Sequence, residues 1–187
     1  KINLGLHIHG KREDGFHELE TIFQMVSLYD EVELEISSSG VKLECDTPGV
    51  PSDNTNLAYR AASLLKKIYQ VQNKGVTIRL KKNIPFGAGL GGGSSNAAGV
   101  LMGLNRLWDL NIEREKLFSL AAELGSDVPF FLTSPCALGM GRGEKLKALK
   151  PCTKFKILLV FPGFPIATSW VYQNLKLKLT KRENNIS

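Results

Sequence analysis

Cysteine is scarce and unpatterned in this chain. Cys45, Cys136 and Cys152 are odd in number, far apart and without a CxxC pair. That sets aside a disulfide framework and a thiolate zinc site, and reads as reduced thiols of a cytoplasmic protein. No apolar run approaches the roughly 20 residues that span a bilayer, so no membrane segment is expected. The opening residues do not run basic, then apolar, then small, so no signal peptide is expected either. No stripe of alternating basic and aromatic residues is present to track a nucleic acid. No Gly-Lys-Ser/Thr closes a Walker loop, no dinucleotide fingerprint has the right spacing, and no internal repeat stands out.

What remains is an ordinary globular composition: 187 residues, 43% of them hydrophobic, enough for one good core or two small ones. The net charge of +6 leaves three readings open: plain solvation, a nucleic-acid footprint, or a field that draws in a polyanionic small molecule. The lysines are scattered except for Lys176, Lys178, Lys181 and Arg182, which favours the first and third.

The most informative stretch runs from Ile84 to Ala98. It places five glycines between Gly87 and Gly93, then Ser94, Ser95 and Asn96, before an apolar helical pattern through Ala97, Leu101, Leu104 and Trp108. Glycines without Cβ atoms let a backbone approach a ligand closely and adopt positive φ. Ser and Asn ahead of a helix are good N-caps, so the helix is expected to start at about Ala97. A loop of this kind aims free N–H groups and the positive end of a helix dipole at one point, which is a phosphate site. A flexible linker would lack the apolar flanks, and a plain tight turn has no use for five glycines.

Elsewhere, Ile2, Leu4, Leu6 and Ile8 alternate with Lys1, Asn3, Gly5, His7 and His9. A half-buried strand follows, with Lys1, Asn3 and His7 on one face. Lys11–Gly15 reads as a turn on its Asp-Gly signal. Further strands are expected near Thr21–Leu28, Glu31–Ile36, Val41–Cys45 and Val76–Leu80, with helices over Asn56–Tyr69 and Glu113–Leu124, the latter stopped by Gly125. Phe155–Phe161 suits a buried strand, and Thr168 a cap for a short helix through Tyr172. Without a regular βαβα alternation the class is α+β. A shift in composition near Leu149–Thr153 divides residues 1–150 from 151–187.

Phosphoryl transfer needs, besides a phosphate cradle, a group that positions an acceptor hydroxyl and positive charge to offset the transition state. Asp127, in the apolar segment Leu124–Phe131, is the candidate acid; read alone, it serves equally well as a cap for the next turn. Lys1 is the natural cation beside it, although an isolated lysine is ordinarily solvated. Phe16 and His17, together after a turn, could stack on a base and read its edge. Read alone, a core phenylalanine beside a surface histidine is the plainer account.

Taken together, these segments resemble the GHMP kinases. Lys1–Leu6 followed by Asp14–Leu19 is similar to that superfamily's first motif. Pro85–Ala98 is similar to its ATP-binding second motif, and Leu124–Phe131 to the segment carrying the catalytic acid. The extra glycine and Asn96 match members that act on a cytidine-diphosphate-linked methylerythritol. The resemblance implies a GHMP kinase fold, with an N-terminal ATP-binding domain (1–150) like a ribosomal-protein domain and the start of a ferredoxin-like C-terminal domain (151–187). It implies transfer of the ATP γ-phosphate to the 2-hydroxyl of that small-molecule substrate, in the non-mevalonate route to isoprenoid precursors. Asp127 would be the base and Lys1 its partner. Asn3, Phe16, His17 and Tyr172 would hold the substrate. Pro85, Gly87, Ala88, Gly89, Leu90, Gly91, Gly92, Gly93, Ser94 and Ser95 would hold the ATP phosphates, with Asn56, Lys82 and Pro162 around the nucleotide. Mg²⁺ is expected with ATP, Ser95 being its one candidate ligand here. The family's upstream residues and its third glycine-rich motif are not in the sequence, so the chain reads as truncated at both ends. Two rivals stand beside this reading: a GHMP kinase for another alcohol, disfavoured by Phe16, His17 and Asn96, and a nonenzymatic nucleotide- or RNA-binding module, which has no use for Asp127.

Overall fold

The computed structural model describes residues 1–151, 155–164, 166, 170–171 and 174. Two sheets carry the fold. The first has the order β1 (Ile2–Lys11), β2 (His17–Gln24), β6 (Cys136–Gly141), β7 (Lys145–Ala148), antiparallel throughout. The second has the order β3 (Glu31–Ser37), β5 (Gly75–Lys81), β4 (Val41–Cys45), with β4 parallel to β5. Strand alternation decides how the second sheet is used. Leu43, Val76, Ile78 and Leu80 face a core closed by α1 (Leu57–Ile68), α2 (Gly92–Leu107) and α3 (Arg114–Leu124). The opposite face carries Arg79 among Glu33, Glu35 and Glu44, a solvated ion-pair ladder of small energetic weight.

The helices form where the apolar spacing puts them. Ala58, Ala61, Ala62 and Leu65 bury one stripe of α1, and Leu120, Ala121 and Leu124 one stripe of α3. Gly125 ends α3 in an extended conformation, φ 171°, which any residue adopts, so its role as a stop is not conformational. In α2, Val100, Leu101 and Leu104 are fully buried. A Cβ at Gly103 would run into Leu34, so glycine there lets α2 lie close on β3.

Four expectations are corrected. The helix after the glycine loop begins at Gly92, not near Ala97. Its N-cap is Gly91, left-handed at φ 73° and without a side-chain cap, so Ser94, Ser95 and Asn96 lie inside its first turns. In β1, a bulge between Asn3 and Gly5 shifts the register against β2, pairing Asn3 with Phe23 but Leu6 with Thr21 and His7 with Glu20. The extra residue inverts the alternation, so Asn3 and Leu6 share a face while His7 joins His9 on the other, His9 meeting Glu20 at 3.5 Å. Strand β2 occupies His17–Gln24 and stops short of Leu28. Finally, residues 155–161 form no strand and are exposed, Leu158 to 88%; among the described residues no element supplies the cover that a buried strand requires. The hairpin β6–β7 and a 3₁₀ turn at Pro129–Leu132 had no counterpart in the sequence reading. Thr168 and Tyr172 lie outside the described residues.

Candidate active site

The first sheet does not close against the helices, and the gap is a cleft of about 900 Å³. Its wall is β1 and β2, its rim the glycine loop, and its floor the turn after α3. Lys1, Asn3, Phe16, His17, Gly89, Gly91, Ser94 and Asp127 all line it, so residues from the three separated motifs meet in one place. A shallower groove of about 500 Å³ beside the end of α1 is lined by Tyr59, Lys66, Lys67 and their neighbours and holds no carboxylate.

Lys1 is the hub. Its side chain is 7% exposed, and its Nζ lies 3.2 Å from Asp127 Oδ2. It donates to Asn3 Oδ1 (3.0 Å) and Gly89 O (3.4 Å), and sits 5.1 Å from the centre of the Phe23 ring. The ring face adds a favourable electrostatic contact to the three acceptors. The Lys1 main-chain nitrogen donates to Leu90 O at 2.9 Å, fixing the start of β1 to the loop. Beneath, Phe23 packs on Phe130 (5.0 Å) and Phe130 on Phe131 (5.3 Å).

An ammonium only donates, so the Asn3 amide must turn its oxygen to Lys1 and its nitrogen elsewhere. That nitrogen donates to Thr21 Oγ1 (2.7 Å), whose own hydroxyl donates to Gly5 O (2.7 Å). Each hydrogen bond thus orients the next, from the β1 bulge to Asp127. Thr21, 1% exposed, anchors this chain from a position without contact to the carboxylate. In Thr21→Val the Asn3 amide nitrogen loses its acceptor and Lys1 its fixed partner. We expect the Asn3 side-chain amide resonances to broaden in this variant as the group loses its fixed orientation, read from NMR spectra.

The glycine loop has three left-handed residues, Gly87, Gly89 and Gly91. Gly91 is tightly enclosed: a Cβ there would stand 3.2 Å from the Phe131 ring and 3.3 Å from Lys1 Cε. The absence of a side-chain cap on α2 leaves its first N–H groups for another acceptor, which a serine cap would have taken. Ser94 lines the cleft, whereas Ser95 Oγ donates back to Gly92 O (2.8 Å).

Behind the loop lies a closed polar cluster. Asp30, its side chain fully covered, pairs with Lys82, whose Nζ also donates to Asn96 Oδ1 at 2.8 Å, and Asn96 Nδ2 donates back to Asp30 at 3.0 Å. Burial pushes the Asp30 carboxyl up, but the amides of Ile84 and Asn83 and the Lys82 side chain outweigh it and hold the group below its ordinary value. Lys82 is therefore packed beneath Gly92 rather than at the rim. Asn56 is likewise engaged: it caps α1 through Ala58 N (2.9 Å) and donates to Pro51 O (2.7 Å).

Arg142 is a cleft residue the sequence reading missed. Its guanidinium lies 4.7 Å from the centre of the Phe16 ring, itself 51% exposed. The signal was present as Gly141-Arg-Gly-Glu144 between two short alternating runs, the mark of a hairpin. Leu6 lines the same wall, and Lys11 with Lys1 and Arg142 makes the cleft basic around Asp127.

Residues 56–134 match the family of GHMP kinases N terminal domain. A 4-diphosphocytidyl-2-C-methyl-D-erythritol kinase from Acetivibrio thermocellus is 44% identical over 95% of this chain and 62% of its own length. One from Chloroherpeton thalassium is 49% identical over 94% of this chain and 61% of its own. A crystal structure of 4-(cytidine 5'-diphospho)-2C-methyl-D-erythritol kinase superposes with a TM-score of 0.74 at 43% identity, covering 92% of this chain and 60% of that one. The chain thus spans about three fifths of the length of the relatives it matches. Among the described residues, no helix is long and apolar enough to cross a membrane.

Proposed function

We propose that this chain, whose residues 56–134 match the GHMP kinases N terminal domain, is a GHMP kinase that transfers the γ-phosphoryl group of ATP to the 2-hydroxyl of 4-diphosphocytidyl-2-C-methyl-D-erythritol. The observation that carries the reading is the convergence, in one cleft, of an ion-paired carboxylate, an uncapped helix start behind a glycine loop, and an exposed aromatic beside a histidine. Relatives of that name at 44% and 49% identity support the choice of substrate.

In this mechanism the loop from Pro85 to Ser95 holds the phosphates by backbone N–H groups. Asp127 accepts a hydrogen bond from the 2-hydroxyl and takes its proton as the phosphoryl group transfers. Lys1, held by Asn3 and Gly89, fixes one oxygen of Asp127 and offsets charge on the moving group. Phe16 stacks on cytosine with its other face covered by Arg142, and His17 reads the base edge. Asn3 meets the methylerythritol end. Asn56 and Lys82 shape the nucleotide pocket from behind. The basic wall of Lys1, Lys11 and Arg142 suits a diphosphate.

Among the described residues no group of three His, Cys, Asp or Glu stands together as a metal cage. The donor set instead fits Mg²⁺ carried on the nucleotide, which usually keeps several waters and leans on substrate phosphates. Ser95, with lone pairs left beyond its donated bond, would be the candidate protein ligand. When bound, the cation neutralises developing phosphate charge. Cytoplasmic localisation and a second domain opening at about residue 151 belong to the same proposal, the latter supported by the exposed apolar run at 155–161.

The test is ADP release from ATP with three acceptors. Turnover with the cytidine compound, and none with mevalonate or homoserine, is the expected result. Turnover with another alcohol keeps the kinase and discards the roles of Phe16 and His17. No turnover with any acceptor favours a nucleotide-binding module.

A further inference from the structure

The glycine loop has two ends, and one buried side chain holds both. Asp30 sits just before β3, remote in sequence from the loop. Its Oδ1 accepts the backbone N–H groups of Asn83 and Ile84, each at 2.8 Å. These residues carry the chain from β5 into the loop. Its Oδ2 accepts from Lys82 and from Asn96 Nδ2 (3.0 Å), and Asn96 lies in the second turn of α2, where the loop ends. Lys82 closes the triangle on Asn96 Oδ1 (2.8 Å). Every strong acceptor site of the carboxylate is thereby filled by a donor.

From this we infer that Asp30 is a positioning residue for phosphoryl-donor binding: it fixes the distance between the entrance and exit of the glycine loop, and so the direction of the N–H groups along it. The inference rests on the kinase reading above. Asp30 touches no part of the cleft, and it acts through Ile84 on one side and Asn96 on the other. The opposite side of the loop is held separately, by the Lys1 main-chain nitrogen on Leu90 and by the packing of Gly91 against Phe131. Loosening Asp30 therefore frees the phosphate side while the Lys1–Asp127 pair, anchored through Asn3 and Thr21, stays in place.

The chemistry requires a carboxylate and not merely a polar group. Asparagine has the same shape, but its NH₂ has to face donors in either orientation: the two backbone N–H groups in one flip, Lys82 and Asn96 in the other. Asp30→Asn is thus a disruptive change of almost no volume.

The experiment compares wild type, Asp30→Asn, Asn96→Leu and Asp127→Asn in the intact protein, by steady-state kinetics, calorimetric ATP binding and thermal unfolding. For Asp30→Asn the expected result is a KM and Kd for ATP raised roughly tenfold or more, with kcat at saturating ATP and the acceptor KM within about threefold of wild type. Asn96→Leu cuts only the link to α2 and gives the same split, which keeps the test available if Asp30→Asn fails to fold. A lower Tm with unchanged ATP parameters, or a parallel rise of both KM values, overturns the inference and leaves Asp30 a general structural residue. Wild-type protein that neither binds ATP nor releases ADP removes the kinase reading itself. An active wild type with an unaltered ATP KM in both variants removes only the role of Asp30.

Discussion

Asp127→Asn is expected to lower kcat by about two to four orders of magnitude while ATP still binds with an affinity within about twofold of wild type. The carboxylate lies 3.2 Å from Lys1 Nζ and is one third exposed, its side chain at 34% against 7% for the lysine. One oxygen is thus held by a fixed cation while the group still opens on the cleft. Asparagine keeps the shape and the hydrogen-bonding reach but takes no proton and pairs poorly with an ammonium. A loose phosphoryl-transfer transition state demands little base strength, so the lower end of the range marks a group that chiefly orients the hydroxyl and the upper end one that removes its proton early. Lys1→Met removes the partner, and the double variant is expected to be little worse than either single one, since the two act as a unit. Additive losses would instead separate their roles. Calorimetry with ATP alone, beside single-turnover ADP release, measures both quantities.

The second large effect is expected at Gly91. Its φ of 73° costs a residue with a Cβ about 1–2 kcal/mol. A methyl group would also press on the Phe131 ring and on Lys1 Cε, at 3.2 and 3.3 Å. Relief requires the loop to lift or the lysine to swing, and either disturbs phosphate binding and the catalytic pair together. Gly91→Ala is expected to reduce kcat/KM for ATP by about a hundredfold or more. Gly89 is the internal control: its φ is 71° but a Cβ there meets nothing within 4 Å. Gly89→Ala therefore carries only the backbone penalty, about a tenfold loss. Equal losses at the two positions would mean that the packing around Gly91 has no part in function.

Much of the helical layer was legible because its signals are local. Leu57–Ile68 and Arg114–Leu124 follow from apolar residues three and four apart, and β3, β4 and β5 from short alternating or apolar runs. The start of α2 was not legible, because serine and asparagine are good caps wherever nothing else decides. Here a left-handed glycine turns the chain into the helix, and Asn96 is drawn inward by Asp30 and Lys82, partners 66 and 14 residues away. The hairpin β6–β7 escaped for a related reason: Cys136–Gly141 is rich in glycine and small residues, and its pairing with β2 across more than a hundred positions leaves little local trace. Residues 155–161 failed in the opposite sense, since composition states a preference for burial without supplying the surface that satisfies it.

The candidate site divides along the same line. Lys1, Asn3, Phe16, His17, the glycine loop and Asp127 were found by motif, and the fold brings them to one cleft. Arg142, Thr21 and Asp30 carry no motif. They became visible only through a ring contact, a hydrogen bond and a buried carboxylate.

The extra residue in β1 between Asn3 and Gly5 works as a parity shift. Upstream of it, odd-numbered side chains look into the cleft; immediately downstream, even-numbered ones do. A chimera that borrows this strand from a relative must carry the bulge along with the flanking segments. Paired with β2 in unbroken alternation, the same residues would present His7 to the cleft and turn Leu6 to the outside, exchanging an apolar wall for a histidine without a single substitution.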